Sequence, residues 1–220
     1  MIEPVERRSS ERAWWLRTLV LPGSPFTTFA ALRDDSPREA EARVEPILAL
    51  ALLAGIAGIL LTRASGRLYD EALVDGSALV VAVLVFFLGC VYGAATYWIG
   101  GAALYMGLRG AGSKASFRRA RHLLAFAAAP LVLGLLLVWP VRIAVYGSDN
   151  FRSGGADEGT GGFVFDLAFG VFAAWAAGLL VYGISVVERW SLVRSAVSLV
   201  LVVLGLVILT LAVLIPLSAS

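Results

Sequence analysis

The chain has 220 residues, of which 59% are hydrophobic, and its mean hydropathy is +0.84, whereas soluble domains are roughly 45–50% apolar. The net charge of +2, without a basic stripe, excludes a protein that binds nucleic acid through its charge. The single cysteine, Cys90, excludes an internal disulfide.

Long uncharged stretches predict helices that cross a membrane. Ser77–Leu108 contains 32 residues without Asp, Glu, Lys or Arg, and residues 195–220 contain none either. Apolar runs longer than about 18 residues form bilayer-spanning helices, because a helix satisfies its backbone hydrogen bonds without water. The sequence therefore predicts an all-α, polytopic membrane protein. Residues 44–217 form its transmembrane domain, with five spans at about 44–61, 77–108, 122–146, 163–187 and 195–217.

Residues 1–43 precede the first span and predict an amphipathic cytosolic arm of short helices. Ser24-Pro25 and Ser36-Pro37 each place a serine at the N-cap and a proline at the first helical position. Glu39 completes a capping box with the second serine. We expect the arm to pack on the spans, with docking of a partner as the alternative.

Two spans contain residues that predict a kink. The second span, at about 1.5 Å per residue, is half again as long as a hydrocarbon core of about 30 Å. We expect it to bend at Gly100-Gly101, where a glycine pair weakens the helix. Pro130 lies near the middle of the third span, where it cannot donate a backbone hydrogen bond.

The distribution of cations predicts the orientation. Of 18 lysines and arginines, fourteen fall in the arm and in the second-to-third and fourth-to-fifth connections, and four fall elsewhere. The positive-inside rule then places the N-terminus in the cytosol and the C-terminus outside. Seventeen arginines against one lysine are typical of a GC-rich prokaryote, which makes the plasma (inner) membrane the expected location.

A basic cluster begins the third span. It comprises Lys114, Arg118, Arg119 and Arg121, and the only histidine, His122, follows it. Cations near anionic headgroups are stabilised by about 1 kcal/mol each, so the preferred interpretation is an orientation signal with generic lipid contact. A specific lipid-headgroup or phosphate site and a docking surface for a protein are the alternatives. We interpret His122 as a polar boundary residue, because no second metal ligand lies at a suitable spacing.

Two ladders of small residues predict close helix packing. Gly89 and Gly93 form one in the second span, and Gly170, Ala174 and Gly178 form another in the fourth. Small residues let helix backbones approach closely, where packing drives association in lipid. Packing within the chain is the preferred interpretation for both ladders. A homo-oligomer or a partner helix is the alternative.

The sequence contains no catalytic, metal-binding or nucleotide-binding motif, so we expect no enzyme, cofactor or metal. Every charged residue can be placed at or outside an interface, and Arg142 and Asp166 are the deepest. Tyr92, Thr96 and Tyr97 lie at membrane depth. We expect them to pack and hydrogen-bond between helices, although they could also line a path.

Three stretches, "LPGSPFTTFAALRDDSP", "GSKASFRRARHLLAFAAAP" and "WAAGLLVYGISVVERWSLVRSAV", resemble the Yip1-domain family of five-span membrane proteins. The resemblance extends over roughly residues 22–214 and is to the prokaryotic branch. The D-L-Y-G-P signature of the eukaryotic trafficking members is absent, which argues against Rab-GTPase binding. The resemblance implies an accessory role, in some relatives beside ABC-type export systems.

These observations favour a non-enzymatic membrane scaffold or accessory subunit. Its expected partners are membrane lipids, other integral membrane proteins and further copies of the same chain, and not nucleic acid. A passive channel, a small transporter or a lipid-handling protein is the alternative.

Overall fold

The computed structural model describes the backbone of residues 4–62, 78–151 and 154–218, and the side chains of residues 10–62, 79–151 and 154–207. Within these ranges the chain is helical and has no strand, which confirms the all-α fold class. The helices are α1 (Pro4–Val20), α2 (Pro25–Ala31), α3 (Pro37–Ala42), α4 (Val44–Leu61), α5 (Ala78–Ala95), α6 (Gly101–Gly110), α7 (Phe117–Ala127), α8 (Ala129–Tyr146), α9 (Thr160–Glu188) and α10 (Leu192–Ser218).

Four helical stretches of the described chain are long and apolar enough to cross a membrane. They are Val44–Leu61, Leu79–Gly110, Phe117–Phe151 and Thr160–Glu188, and they coincide with the first four predicted spans. The fifth predicted span falls in α10, which is apolar over its described side chains, Leu192–Val207. The described residues thus show four such helices rather than five, and the fifth span stays a prediction. The predicted start of the second span, Ser77, lies outside the described residues.

Both predicted kink positions coincide with a change in helical geometry. A π-helical turn, Thr96–Gly100, separates α5 from α6 and ends at the predicted glycine pair. The third span is interrupted at Ala128, and Pro130 is the second residue of α8. Proline has no backbone N–H to continue the α7 hydrogen-bond ladder, so the interruption has a local cause. The bend angles themselves stay predictions.

The arm packs against the membrane helices. Trp14 of α1 and Phe29 of α2 are fully buried in one apolar cluster with Leu104 and Phe126, and the Trp14 ring stacks on Phe126 at 5.7 Å between centroids. Burying an aromatic side chain of this size stabilises the fold by roughly 2–3 kcal/mol. The arm is therefore joined to the bundle by a shared core.

The predicted capping box at the start of α3 forms only in part. The Ser36 hydroxyl accepts a hydrogen bond from the Glu39 backbone N–H at 3.5 Å, as expected of an N-cap. The Glu39 carboxylate instead accepts from Trp14 Nε1 at 3.0 Å, and the Ser36 N–H donates to Asp34. The Glu39 carboxylate thus contacts α1 instead of the Ser36 N–H that a capping box would give it.

The two basic connections meet the arm at one end of the bundle. Ser113 donates to Glu188 at 2.7 Å, Arg33 Nε donates to the Val186 carbonyl at 3.0 Å, and Arg194 donates to the Ala111 carbonyl at 2.7 Å. The arm and both basic connections thus lie on one side of the molecule. That this side faces the cytosol stays a prediction.

Candidate functional site

The arm is fastened to the bundle by a partly buried cluster, the arm junction, made of Asp35, Arg43, Ser116, Arg118 and His122. The Asp35 carboxylate pairs with Arg43 Nη2 at 2.9 Å and with Arg118 Nε at 3.0 Å, and it accepts a hydrogen bond from the Ser116 hydroxyl. The Arg43 side chain is fully buried, and that of Asp35 is 12% exposed. One carboxylate therefore bridges the arm to the beginning of α7.

Local structure explains why these side chains meet. Asp35 lies between α2 and α3, and Arg43 is the single residue between α3 and α4. Ser116 is the N-cap of α7, where its oxygen accepts a hydrogen bond from the Arg119 N–H at 3.0 Å. Its hydroxyl group can therefore donate a hydrogen bond to Asp35. The residues of the arm junction thus lie at or near helix ends, both in the arm and at the start of α7.

The Arg43 guanidinium has hydrogen-bond acceptors on every side despite its burial. Its Nε donates to His122 Nδ1 at 2.8 Å, and its Nη1 donates to the Asp34 carbonyl at 2.8 Å. His122 is 2% exposed, and since its Nδ1 accepts a hydrogen bond from Arg43, the ring is neutral imidazole. His122 is therefore an interior acceptor rather than the boundary residue predicted from the sequence.

Electrostatics keeps Asp35 charged. Burial alone would raise the pKa of Asp35, but the hydrogen bonds from Ser116 and Arg118 and the charges of Arg118 and Arg43 hold that pKa below its ordinary value of 3.8. Burial lowers the pKa of Arg43, against the opposing charge of Asp35, and an arginine stays protonated even so. Both partners are ionised, and each would be costly to leave unpaired.

Most residues of the predicted basic cluster contact other residues of the chain. Besides the contact of Arg118 with Asp35, Arg119 Nη2 donates to the Arg33 carbonyl at 3.0 Å. The Arg121 guanidinium lies 3.7 Å from the centroid of the Trp98 ring, and Lys114 is exposed. The segment is therefore a structural tie as well as a basic segment, and its contact with lipid or a partner stays a prediction.

The sequence pattern did not identify Asp35 or Arg43 as special. Arg43 counts there only as one of the arm cations, and Asp35 is not singled out. A useful signal is the position of Arg43, directly before an apolar span, where an arginine must either reach water or be paired. Its partner could not be read from the sequence.

A second ionic cluster closes the opposite end of the bundle. Arg142, one turn before the end of α8, is 4% exposed and donates to Asn150 at 2.7 Å, to Asp157 at 2.8 Å and to Asp166. The sequence singled out Arg142 and Asp166 as the deepest charges, and the structure brings them together. The cluster pins the turns between α8 and α9 to the two helices.

The first small-residue ladder is filled within the chain. A Cβ atom added at Gly93 would lie 2.3 Å from the Ala51 carbonyl oxygen, and one added at Gly89 would lie 2.6 Å from Ile56 Cα. From the other helix, a Cβ at Gly55 would lie 2.3 Å from Gly93 Cα. The backbones of α4 and α5 touch, so no side chain fits between them.

The second small-residue ladder faces outward. Gly170, Ala174 and Gly178 are exposed along α9, and a Cβ added at either glycine would meet no atom of the described residues within 4 Å. Large apolar side chains on the same helix, such as Val171 (62% exposed), are also uncovered. The same spacing that is filled on α5 is therefore open on α9.

Two cavities adjoin the π-helical turn and share Tyr97 as a wall residue. The inner cavity, about 210 Å³, lies between α4, α5 and the junction of α7 with α8, and its lining is almost entirely apolar. The outer cavity, about 500 Å³, lies at the arm end and is more polar. The inner lining includes Ala51, Ala54, Tyr92, Thr96, Ala128 and Leu131; the outer lining includes Glu41, Leu48, Trp98, Arg118, Arg121 and His122.

Comparison with known proteins gives one match. A family model of the Yip1 domain matches residues 19–214, which is most of the chain and close to the 22–214 over which the sequence resemblance was drawn. No curated protein and no solved structure matches the chain.

Proposed function

The chain belongs to the Yip1 domain family, and we propose that it is a non-enzymatic membrane scaffold or accessory subunit that binds other integral membrane proteins through a helix face. The strongest support is the open ladder of Gly170, Ala174 and Gly178 on α9. On α5, the equivalent spacing of Gly89 and Gly93 is filled by a helix of the chain itself. The contact of α4 with α5 is the kind of contact that we propose for the open face of α9.

Membrane helices associate through close packing and not through hydrophobicity, because lipid tails are as apolar as the helices. On a face made of glycine and alanine, the backbone of a partner helix can come into close contact. No large side chain has to become ordered for this contact to form. A second copy of this chain is the partner that can be tested with this protein alone. In such a dimer the two α9 helices would pack against each other. A helix of an export-type membrane complex would use the same face.

We further propose that the protein lies in the plasma (inner) membrane of a prokaryote, with its arm in the cytosol and its C-terminus outside. The cation distribution supports this orientation. The arm junction would then form a fixed cytosolic platform at the end of the bundle.

Cysteine crosslinking tests the α9 contact. In a Cys90→Ser background, Ala174→Cys is expected to give a crosslinked dimer in native membranes, because the two ladders would face each other. Adding Gly170→Leu and Gly178→Leu is expected to reduce the dimer about tenfold, because bulky residues separate the backbones. Leu136→Cys, 58% exposed on α8, is the matched control. Equal crosslinking at both positions, or none at Ala174, would contradict the contact.

The inner cavity favours a second candidate function. The cavity contacts Tyr92, Thr96 and Tyr97, the residues that the sequence offered as the lining of a path. Its walls are apolar, which suits a lipid chain better than a hydrated ion. A lipid-handling protein is therefore the favoured member of the channel, transporter and lipid-handling group. Transfer of a fluorescent phospholipid between the leaflets of proteoliposomes would support this function; a scaffold is not expected to catalyse it.

A further inference from the structure

We propose that the two neighbouring cavities, which share Tyr97 as a wall residue, together form a binding site for one glycerophospholipid. The phosphate would lie in the outer cavity beside Arg118 and Arg121, and one acyl chain would enter the inner cavity. This inference does not depend on the α9 contact, and it deepens the lipid-handling candidate by naming the ligand and where it binds.

The inner cavity fits a hydrocarbon chain. Small side chains and glycine backbone line it on the α4 side, with Ala51, Ala54 and Gly55. A water molecule needs two to four polar partners, whereas the polar groups here are the Thr96 hydroxyl and tyrosine hydroxyls. Protein interiors are close-packed, and an unfilled apolar space forfeits dispersion contacts along its whole lining. In a bilayer, the abundant molecule that can fill such a space is an acyl chain.

The outer cavity has the groups that bind a phosphate. The Arg121 guanidinium rests on the Trp98 ring, and its buried Nε has no hydrogen-bond partner. Arg121 forms no ion pair with another described residue. Arg118 directs Nε and Nη2 to Asp35, which leaves Nη1 for a further acceptor. Arginine donors hold phosphate oxygens by charge-assisted hydrogen bonds, so Arg121 and the remaining Nη1 of Arg118 can bind one phosphate in the outer cavity.

The relative placement of the cavities matches the two parts of a lipid. Arg121 lies in the second turn of α7, and Ala128, which lines the inner cavity, lies seven residues further along. This separation is about 10 Å along a helix, directed from the arm end toward the middle of the bundle. Phosphatidylethanolamine joins one phosphate to two acyl chains, and it is the probe that we choose for this site.

Three probes distinguish a phospholipid site from a site for phosphate alone and from a non-specific apolar groove. The full-length protein in detergent is titrated with phosphatidylethanolamine, with diacylglycerol of the same chains, and with glycerophosphoethanolamine, which lacks them. Native mass spectrometry counts the bound molecules. We expect one phosphatidylethanolamine per chain, and at least about tenfold weaker retention of either partial probe, because each lacks half of the contacts. Equal retention of diacylglycerol, or strong binding of the headgroup alone, would overturn the inference.

Variants locate the site. Arg121→Gln is expected to reduce lipid retention about tenfold, since it removes the cation that faces the phosphate, and Arg121→Lys is expected to restore part of it. Ala54→Leu and Ala128→Leu fill the inner cavity and should each exclude the acyl chain. Arg109→Gln, at the end of α6 and outside both cavities, is the matched control. Thermal unfolding without added lipid checks that each variant is folded.

Retention of phosphatidylethanolamine by Arg121→Gln to the same extent as by Arg109→Gln would overturn the site. None of these substitutions touches α9, so crosslinking at Ala174 should be the same in all of them. Loss of lipid retention with unchanged crosslinking therefore concerns the lipid site alone. Loss of crosslinking with unchanged lipid retention concerns the α9 contact alone. Binding without transfer between leaflets would support the lipid site and contradict lipid transport.

Discussion

Asp35→Ala is expected to lower the free energy of unfolding by about 3 kcal/mol. The substitution leaves the fully buried Arg43 without its carboxylate and removes the acceptor of Ser116 and Arg118. Breaking a buried ion pair on one side costs about 3–5 kcal/mol, because the remaining charge stays desolvated, and the slight exposure of Asp35 favours the lower end. Reversible unfolding in mixed micelles with increasing denaturing detergent measures the change.

Asp34→Ala is the matched control for this prediction. Asp34 is also an aspartate and directly precedes Asp35, and its carboxylate accepts a hydrogen bond from the Ser36 backbone N–H. Arg43 contacts only the backbone carbonyl of Asp34. That carbonyl is retained in alanine, so we expect the control to unfold nearly as the wild-type protein does. If the two variants lose the same stability, the arm junction does not hold the arm.

The contribution of Asp35 should also depend on pH in a defined direction. Its pKa in the folded protein is held below the ordinary 3.8, so the stabilisation is fully present above that value and is lost as the pH falls through the folded pKa. The stability difference between wild type and Asp35→Ala should therefore be constant from neutral pH to about pH 5. It should shrink only in more acidic solution.

Gly93→Ala is expected to lower the free energy of unfolding by about 2 kcal/mol. The added methyl group would lie 2.3 Å from the Ala51 carbonyl oxygen, and a backbone atom cannot move aside as a flexible side chain can. The helices α4 and α5 must then separate, and overpacking of this kind typically costs about 1–3 kcal/mol. The same detergent titration gives the measurement.

Gly178→Ala makes the same chemical change where α9 is open. Within the part of the chain that the structure describes, no atom lies within 4 Å of its added Cβ, and alanine favours a helix more than glycine does. The control should therefore be as stable as the wild-type protein or slightly more stable. A loss of stability at Gly178 equal to that at Gly93 would mean that the two ladders do not differ as described.

The helices that cross the apolar region follow from local sequence. The first span was predicted at 44–61 and is Val44–Leu61, and the fourth was predicted at 163–187 within Thr160–Glu188. Apolar runs bounded by charges determine such helices because the backbone has no other way to satisfy its hydrogen bonds in lipid. The interruption near Pro130 is equally local, since the missing N–H is a property of the residue itself.

The arm junction and the occupancy of the ladders could not be predicted in this way. Asp35 and Arg118 are 83 residues apart, and counting charges by side says nothing about which of them pair. Gly89-Gly93 and Gly170-Ala174-Gly178 have the same spacing, yet only the first is covered by another helix of the described chain. Both outcomes depend on how distant helices pack, and local hydropathy does not encode that.

Hydrogen exchange of the arm in lipid nanodiscs tests most directly whether the arm and the bundle form one platform. We expect the amides of α2 and α3 to be protected about as strongly as those at the start of α4, and to lose that protection selectively in Asp35→Ala. Rapid exchange of α2 and α3 in the wild-type protein, at the rate of an unstructured peptide, would contradict the account.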